Sequence, residues 1–123
     1  MRYKMDSRPK TLILDIDGVL LHHHGTLSKQ WIASPIKLPG VTEKFHEWDR
    51  KGYHIVLLTG RRECMRKATE TQLAILGIHY HQLVMGVTGG QRVLVNDLKE
   101  NSDYPTAKAI CVERNAGIME LEI

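Results

Sequence analysis

The chain has 123 residues, 42% hydrophobic and 25% charged, too apolar for a disordered segment and too short to give two domains adequate interiors, so a single domain over residues 1–123 is expected. Its formal charge of +3 is spread out, with Arg61-Arg62 and Arg66-Lys67 as the only local clusters; this argues against a nucleic-acid-binding stripe, and no apolar run reaches the roughly 20 residues that span a bilayer. Cys64 and Cys111 match no metal-binding spacing and no export signal opens the chain, which makes a reducing cytoplasm the expected compartment.

Residues 1–10 are polar, contain Pro9 and read as a lead-in. Thr11-Leu12-Ile13-Leu14-Asp15-Ile16 is a nearly continuous apolar run broken by Gly18, the pattern of a central parallel strand buried on both faces. From Leu21 to Pro39 no period is sustained, and three histidines, a glycine and two prolines mark a long loop with a short helical turn near 28–32. Residues 20–40 are therefore expected to form a flap. Val41, Phe45 and Trp48 recur at helical spacing before Gly52, which predicts an amphipathic helix covering the sheet.

Tyr53 to Leu58 gives a second buried strand, with Thr59-Gly60-Arg61 at its C-terminal end, where open parallel sheets carry ligand loops. Glu63 to Leu76 is rich in helix formers, with Cys64, Ala68, Thr71 and Ile75 along one stripe and Gly77 as terminator. Two apolar runs follow, His81 to Met85 and Arg92 to Val95, separated by the flexible turn Gly86 to Gly90 and ended by Asn96-Asp97; Ala109 to Val112 is a last strand. Strands alternating with helices imply a parallel sheet with right-handed crossovers, hence an α/β three-layer sandwich.

Asp15, Asp17, Thr59 and Asp97 thus follow three parallel strands and share one edge. In Asp15-Ile16-Asp17 a strand directs both carboxylates to one side, and such crowding raises their pKa values unless a cation intervenes. Magnesium suits carboxylate oxygens and a substrate phosphate, so Asp15 and Asp97 flanking one ion make physical sense. A carboxylate also attacks phosphorus, and Asp17 is placed to protonate the leaving oxygen and then deprotonate water. Thr59, Gly60 and Arg61 form the expected phosphate-binding group. His22-His23-His24 reads as a solvated loop, since consecutive residues cannot all face one ion.

Leu12-Ile13-Leu14-Asp15-Ile16-Asp17-Gly18-Val19 resembles the first motif of the haloacid dehalogenase superfamily, Leu57-Leu58-Thr59-Gly60-Arg61 its second, and Val93-Leu94-Val95-Asn96-Asp97 its acidic fourth. The resemblance implies a Rossmann-like core of about five strands in the order 5-4-1-2-3, Asp15 as nucleophile, Asp17 as acid/base and Thr59 as phosphate ligand. It also implies Mg2+ held by Asp15, the backbone carbonyl of Asp17, and Asp97. The second acid, Asp17, is what phosphatases of the family use and dehalogenases lack. No lysine fills the third-motif stretch Met85 to Arg92; Arg61, Lys67, Arg92 and Lys99 are the basic residues able to reach in, and Asp103 stands near the thin fourth motif.

Neither gap between motifs has room for a cap domain. Capless relatives act on large substrates or complete their pocket with a neighbouring subunit and act on phosphosugars, so the expected activity is hydrolysis of a phosphosugar or related small phosphomonoester, with a homo-oligomer completing the pocket. Two alternatives remain open: a phosphoacceptor regulatory module, and a catalytically weak member that only binds phosphorylated ligands.

Overall fold

The computed structural model describes residues 7–26, 30, 34–99 and 105–123. Thr11–Asp15 forms β1, Val41–Arg50 α1, His54–Leu58 β2, Glu63–Met65 a 3-10 turn, Arg66–Ile75 α2 and Gln82–Val84 β3. The sheet is parallel with order β1-β2-β3. Thr11 faces His54 and Asp15 faces Leu58, while Leu58 in turn faces Val84. All three strands therefore end together, and the loops leaving β1 and β2 emerge side by side.

Alternation along the strands decides which face packs. Leu12, Leu14 and Ile16, with Ile55 and Leu57 of β2, join Val41, Phe45 and Trp48 of α1 and Leu73 of α2 in one buried cluster. Thr11, Ile13 and Asp15 are exposed. The helices thus cover a single face, and β1 is buried on one side, not two as its continuous apolar run predicts. In α1 the predicted Val41, Phe45 and Trp48 are the buried residues.

Two expectations are corrected. The α/β class and parallel pairing are present, but the five-strand sandwich of order 5-4-1-2-3 is overturned by a three-stranded sheet. Arg92 to Val95 and Ala109 to Val112 form no strand, and Val93, Leu94 and Val95 are 76%, 60% and 86% exposed. A run of four residues between Gly89-Gly90 and Asn96-Asp97 buries too little apolar surface here to offset the entropy of ordering it. The second correction is to the phase of α2. Its buried residues are Thr69 and Leu73, whereas Ile75 of the expected stripe is 77% exposed. Thr71 and Cys64 are exposed as well. The predicted turn at 28–32 lies outside the described residues except for Gln30, and Trp31 and Asp103 lie outside them too.

A C-terminal residue, Ile118, joins the core. Ile118 is 1% exposed and its N–H donates to Pro39 O at 2.9 Å. Gly117 lies beside it at φ 86°, and a Cβ there would run into Pro39 O. Gly52 shares the left-handed conformation at φ 71° but would direct a Cβ into open space. Gly52→Ala should therefore cost about 1 kcal/mol from backbone strain alone, and Gly117→Ala about 3 kcal/mol because collision adds to strain. Urea unfolding of the two variants measures the difference.

Candidate active site

The turn after β1 is built by backbone bonds that leave Asp17 facing the loop after β2. Leu20 and Leu21 N–H both donate to Ile16 O, at 2.9 and 3.0 Å, and Gly18 N–H donates to Leu21 O at 2.7 Å. Residues 59–61 are pinned from the other side. Thr59 N–H donates to Val84 O at 2.9 Å, Val87 N–H to Thr59 O at 3.1 Å, and Gly86 N–H to Arg61 O at 2.7 Å. The glycine-containing turn after β3 therefore braces the expected phosphate-binding loop.

Between these two loops lies a buried ion pair. Arg61 is 2% exposed. Its Nε donates to Asp17 Oδ2 and its Nη2 to Asp17 Oδ1, both at 2.8 Å, while Nη1 donates to Thr69 Oγ1 at 3.1 Å and Gln72 Oε1 at 2.7 Å. Four of the five guanidinium N–H groups are thereby used. This two-pronged contact is the geometry for which arginine, not lysine, is suited. It also explains the phase of α2, since Thr69 and Gln72 must face inward to receive Arg61.

Gln30 completes the set from the flap. It is 4% exposed, and its Nε2 donates to Asp17 Oδ1 at 2.7 Å and to His22 O at 2.9 Å. Its Oε1 accepts from His24 N–H at 2.8 Å. A second tie holds the flap at His23, whose N–H donates to Asn115 Oδ1 at 2.7 Å and whose carbonyl accepts from Asn115 Nδ2 at 3.1 Å. Gln30, Gln72 and Asn115 are the contributors that sequence reasoning missed. An isolated amide in a loop or helix has no pattern, and only a buried charge in need of partners reveals it.

Thr59 is 1% exposed, and its Oγ1 accepts from Arg61 N–H at 3.1 Å. Thr59, Gly60 and Arg61 are therefore brought to the Asp17 loop, with the Arg61 guanidinium turned toward Asp17 and α2. Asp15 is placed differently, with its side chain open to solvent at the strand end and Oδ1 accepting from Ile16 N–H at 2.9 Å. Loss of hydration raises its pKa above the ordinary 3.8, against the opposing pull of the Ile16 N–H and the Arg92 cation; the Asp17 charge adds to the rise and His23 opposes it. Arg92, one of the basic residues expected to replace the third-motif lysine, thus acts electrically on Asp15.

Asp97 does not join them. It lies on the exposed stretch 91–99, with its carbonyl accepting from Thr106 Oγ1 at 2.6 Å. Among the described residues no group of three or more His, Cys, Asp or Glu side chains is placed to hold a metal ion. Both Asp17 carboxylate oxygens are already occupied by Arg61 and Gln30. Of the donors expected for magnesium, Asp15 ends β1, Asp17 follows it in the turn, and Asp97 lies on the exposed stretch 91–99. His22, His23 and His24 line the flap, with the His22 and His24 rings edge to face at 4.7 Å.

No protein-family model, curated protein or solved structure matches this chain. Among the described residues no helix is long and apolar enough to cross a membrane.

Two consequences are measurable. Arg61→Ala strands Asp17, Thr69 and Gln72 without their donor and should cost about 3 kcal/mol. A double-mutant cycle with Asp17→Ala should recover a substantial part of that loss as coupling energy, read by urea unfolding. Asp15 has a raised pKa in the folded state, so its contribution is fully present below its ordinary 3.8 and fades as pH rises through the folded value. Asp15→Asn escapes that loss. Its stability relative to the native chain should climb over that window and level off above it, as followed by thermal melts from roughly pH 3 to 7.

Proposed function

We propose that the chain is a phosphomonoester hydrolase that works through an aspartyl-phosphate on Asp15, with a phosphosugar or related small phosphomonoester as substrate. The observation that supports this most is the unequal treatment of two carboxylates two residues apart. Asp15 is left open at the strand end, while Asp17 is fixed beside it by Arg61 and Gln30. A nucleophile needs a free oxygen lone pair, and an acid/base group needs a fixed position.

In the first displacement Asp17, having left one of its Arg61 contacts and taken a proton from solvent, gives that proton to the ester oxygen as an Asp15 oxygen attacks phosphorus, the bond to the ester oxygen breaks and the alcohol leaves. In the second, water attacks phosphorus, Asp17 takes its proton, and phosphate departs to restore the Asp15 carboxylate. Arg92 offsets the anionic charge that two approaching oxyanions create. Asp17 must exchange one of its present contacts for the reacting oxygen during each transfer. Magnesium and a second subunit that completes the pocket belong to this reading as variables of the assay, and no step above uses them. A cytoplasmic setting is supported by Cys64 and Cys111, which are both free thiols.

A catalytically weak phosphate-binding module is the second reading, favoured by the complete engagement of both Asp17 oxygens. Phosphate release from a panel of sugar phosphates, with and without magnesium, separates the two. Hydrolysis is expected to fall roughly 1,000-fold or more in Asp15→Asn. Binding across the panel with no release above background would sink the hydrolase reading and leave the module.

A further inference from the structure

Arg114 is a cation at this site that neither the motifs nor the proposed steps employ. It stands on the tight turn 113–117, whose Ala116 N–H donates to Glu113 O at 3.3 Å. The turn is fastened to the loop after β1 at two points. Asn115, at φ 64°, donates its N–H to Gly18 O at 2.9 Å, and its side-chain amide grips the His23 backbone in both directions. Ile118 and Gly117 lock the following residues against Pro39.

The side chain of Arg114 consequently lies over Gly18. A Cβ built on Gly18 would stand 3.3 Å from Arg114 Cγ, 3.9 Å from its Nε and 3.8 Å from His23 Cβ. Arg114 is exposed, and no carboxylate among the described residues is paired with it. Arg61 is spent on Asp17. A guanidinium held by its stem and left without an anion is prepared for one from solution.

Gly18 is three residues from Asp15, so the two sites are separated by at most about 10 Å of chain. Arg92 is the arginine that acts on Asp15 itself. A small substrate with its phosphorus at Asp15 can span a distance of that order. We infer that Arg114 is a specificity-determining residue that binds a second acidic group, a carboxylate, on the substrate, so that the chain prefers phosphorylated acids over phosphorylated alcohols. This rests on the phosphomonoester reading and deepens it.

The matched pair 3-phosphoglycerate and glycerol 3-phosphate differs at the carboxylate and tests the inference. Calorimetric affinities would be measured on Asp15→Asn protein, which holds ligand without consuming it, and hydrolysis on the native chain. The acid is expected to bind about tenfold more tightly than the alcohol. Arg114→Ala should remove that preference by weakening the acid alone, and Arg114→Lys should keep part of it. Equal affinities, or equal weakening of both ligands by Arg114→Ala, overturn the role of Arg114 while leaving the phosphate reading intact. An Arg114-dependent preference with no hydrolysis by the native chain overturns the hydrolase reading instead. Binding of neither compound overturns both.

Discussion

Arg61 is a full positive charge taken almost completely out of water, and the site is arranged around neutralising it. An unpaired buried cation of this kind costs several kcal/mol, so the fold must bring it an anion and further acceptors. Asp17 supplies the anion from the turn after β1, Thr69 and Gln72 supply acceptors from α2, and the parallel register sets β1 and β2 so that the two turns meet. Gln30 then attaches the flap to the same carboxylate. One ion pair thereby links both strands, a helix and the loop that overhangs them. Such a pair contributes less to net stability than to specificity, because its Coulombic gain largely replaces lost hydration. What it secures is the position of Asp17.

That dependence shows which parts of the chain were legible before folding. β1 and α1 could be read because their apolar spacing is local, and the buried Val41, Phe45 and Trp48 face follows from period alone. The edge position of Asp15, Asp17 and Thr59 was legible for the same reason, since strand ends and turns are short-range features. The facing of α2 was not. Its apolar residues allow more than one stripe, and the choice was made by Arg61, a residue outside the helix whose need for Thr69 and Gln72 rotates them inward. Gln30 and Asn115 were invisible for a related reason. Each matters only through a partner distant in sequence, His23 and Asn115 being 92 residues apart.

The stretch 91–99 illustrates the opposite failure. Val93-Leu94-Val95 has strand propensity, but propensity expresses how well a residue fits a half-buried pleated surface, and here these side chains stay in solvent. Without that strand no sheet pairing places Asp97 beside Asp15 and Asp17, and it stays on an exposed stretch. Motif order records which residues follow which strands. It cannot by itself supply the packing that brings the strand ends together.

The consequence for chemistry is a division of charge that the motifs did not suggest. Asp15 loses hydration, and its charge is moderated by the Ile16 N–H and by Arg92. Asp17 is paired with Arg61 through both carboxylate oxygens. The guanidinium of Arg61 is therefore committed to the protein's own carboxylate, and a phosphate arriving at Asp15 must find positive charge in groups not already paired. Arg92, from the stretch after β3, meets that condition at Asp15, while Arg114 of the C-terminal turn stands over Gly18. In the proposed hydrolase, recognition of the substrate's anionic groups would therefore fall to segments outside the strand–helix core, while the core's own arginine holds the acid that would transfer the proton.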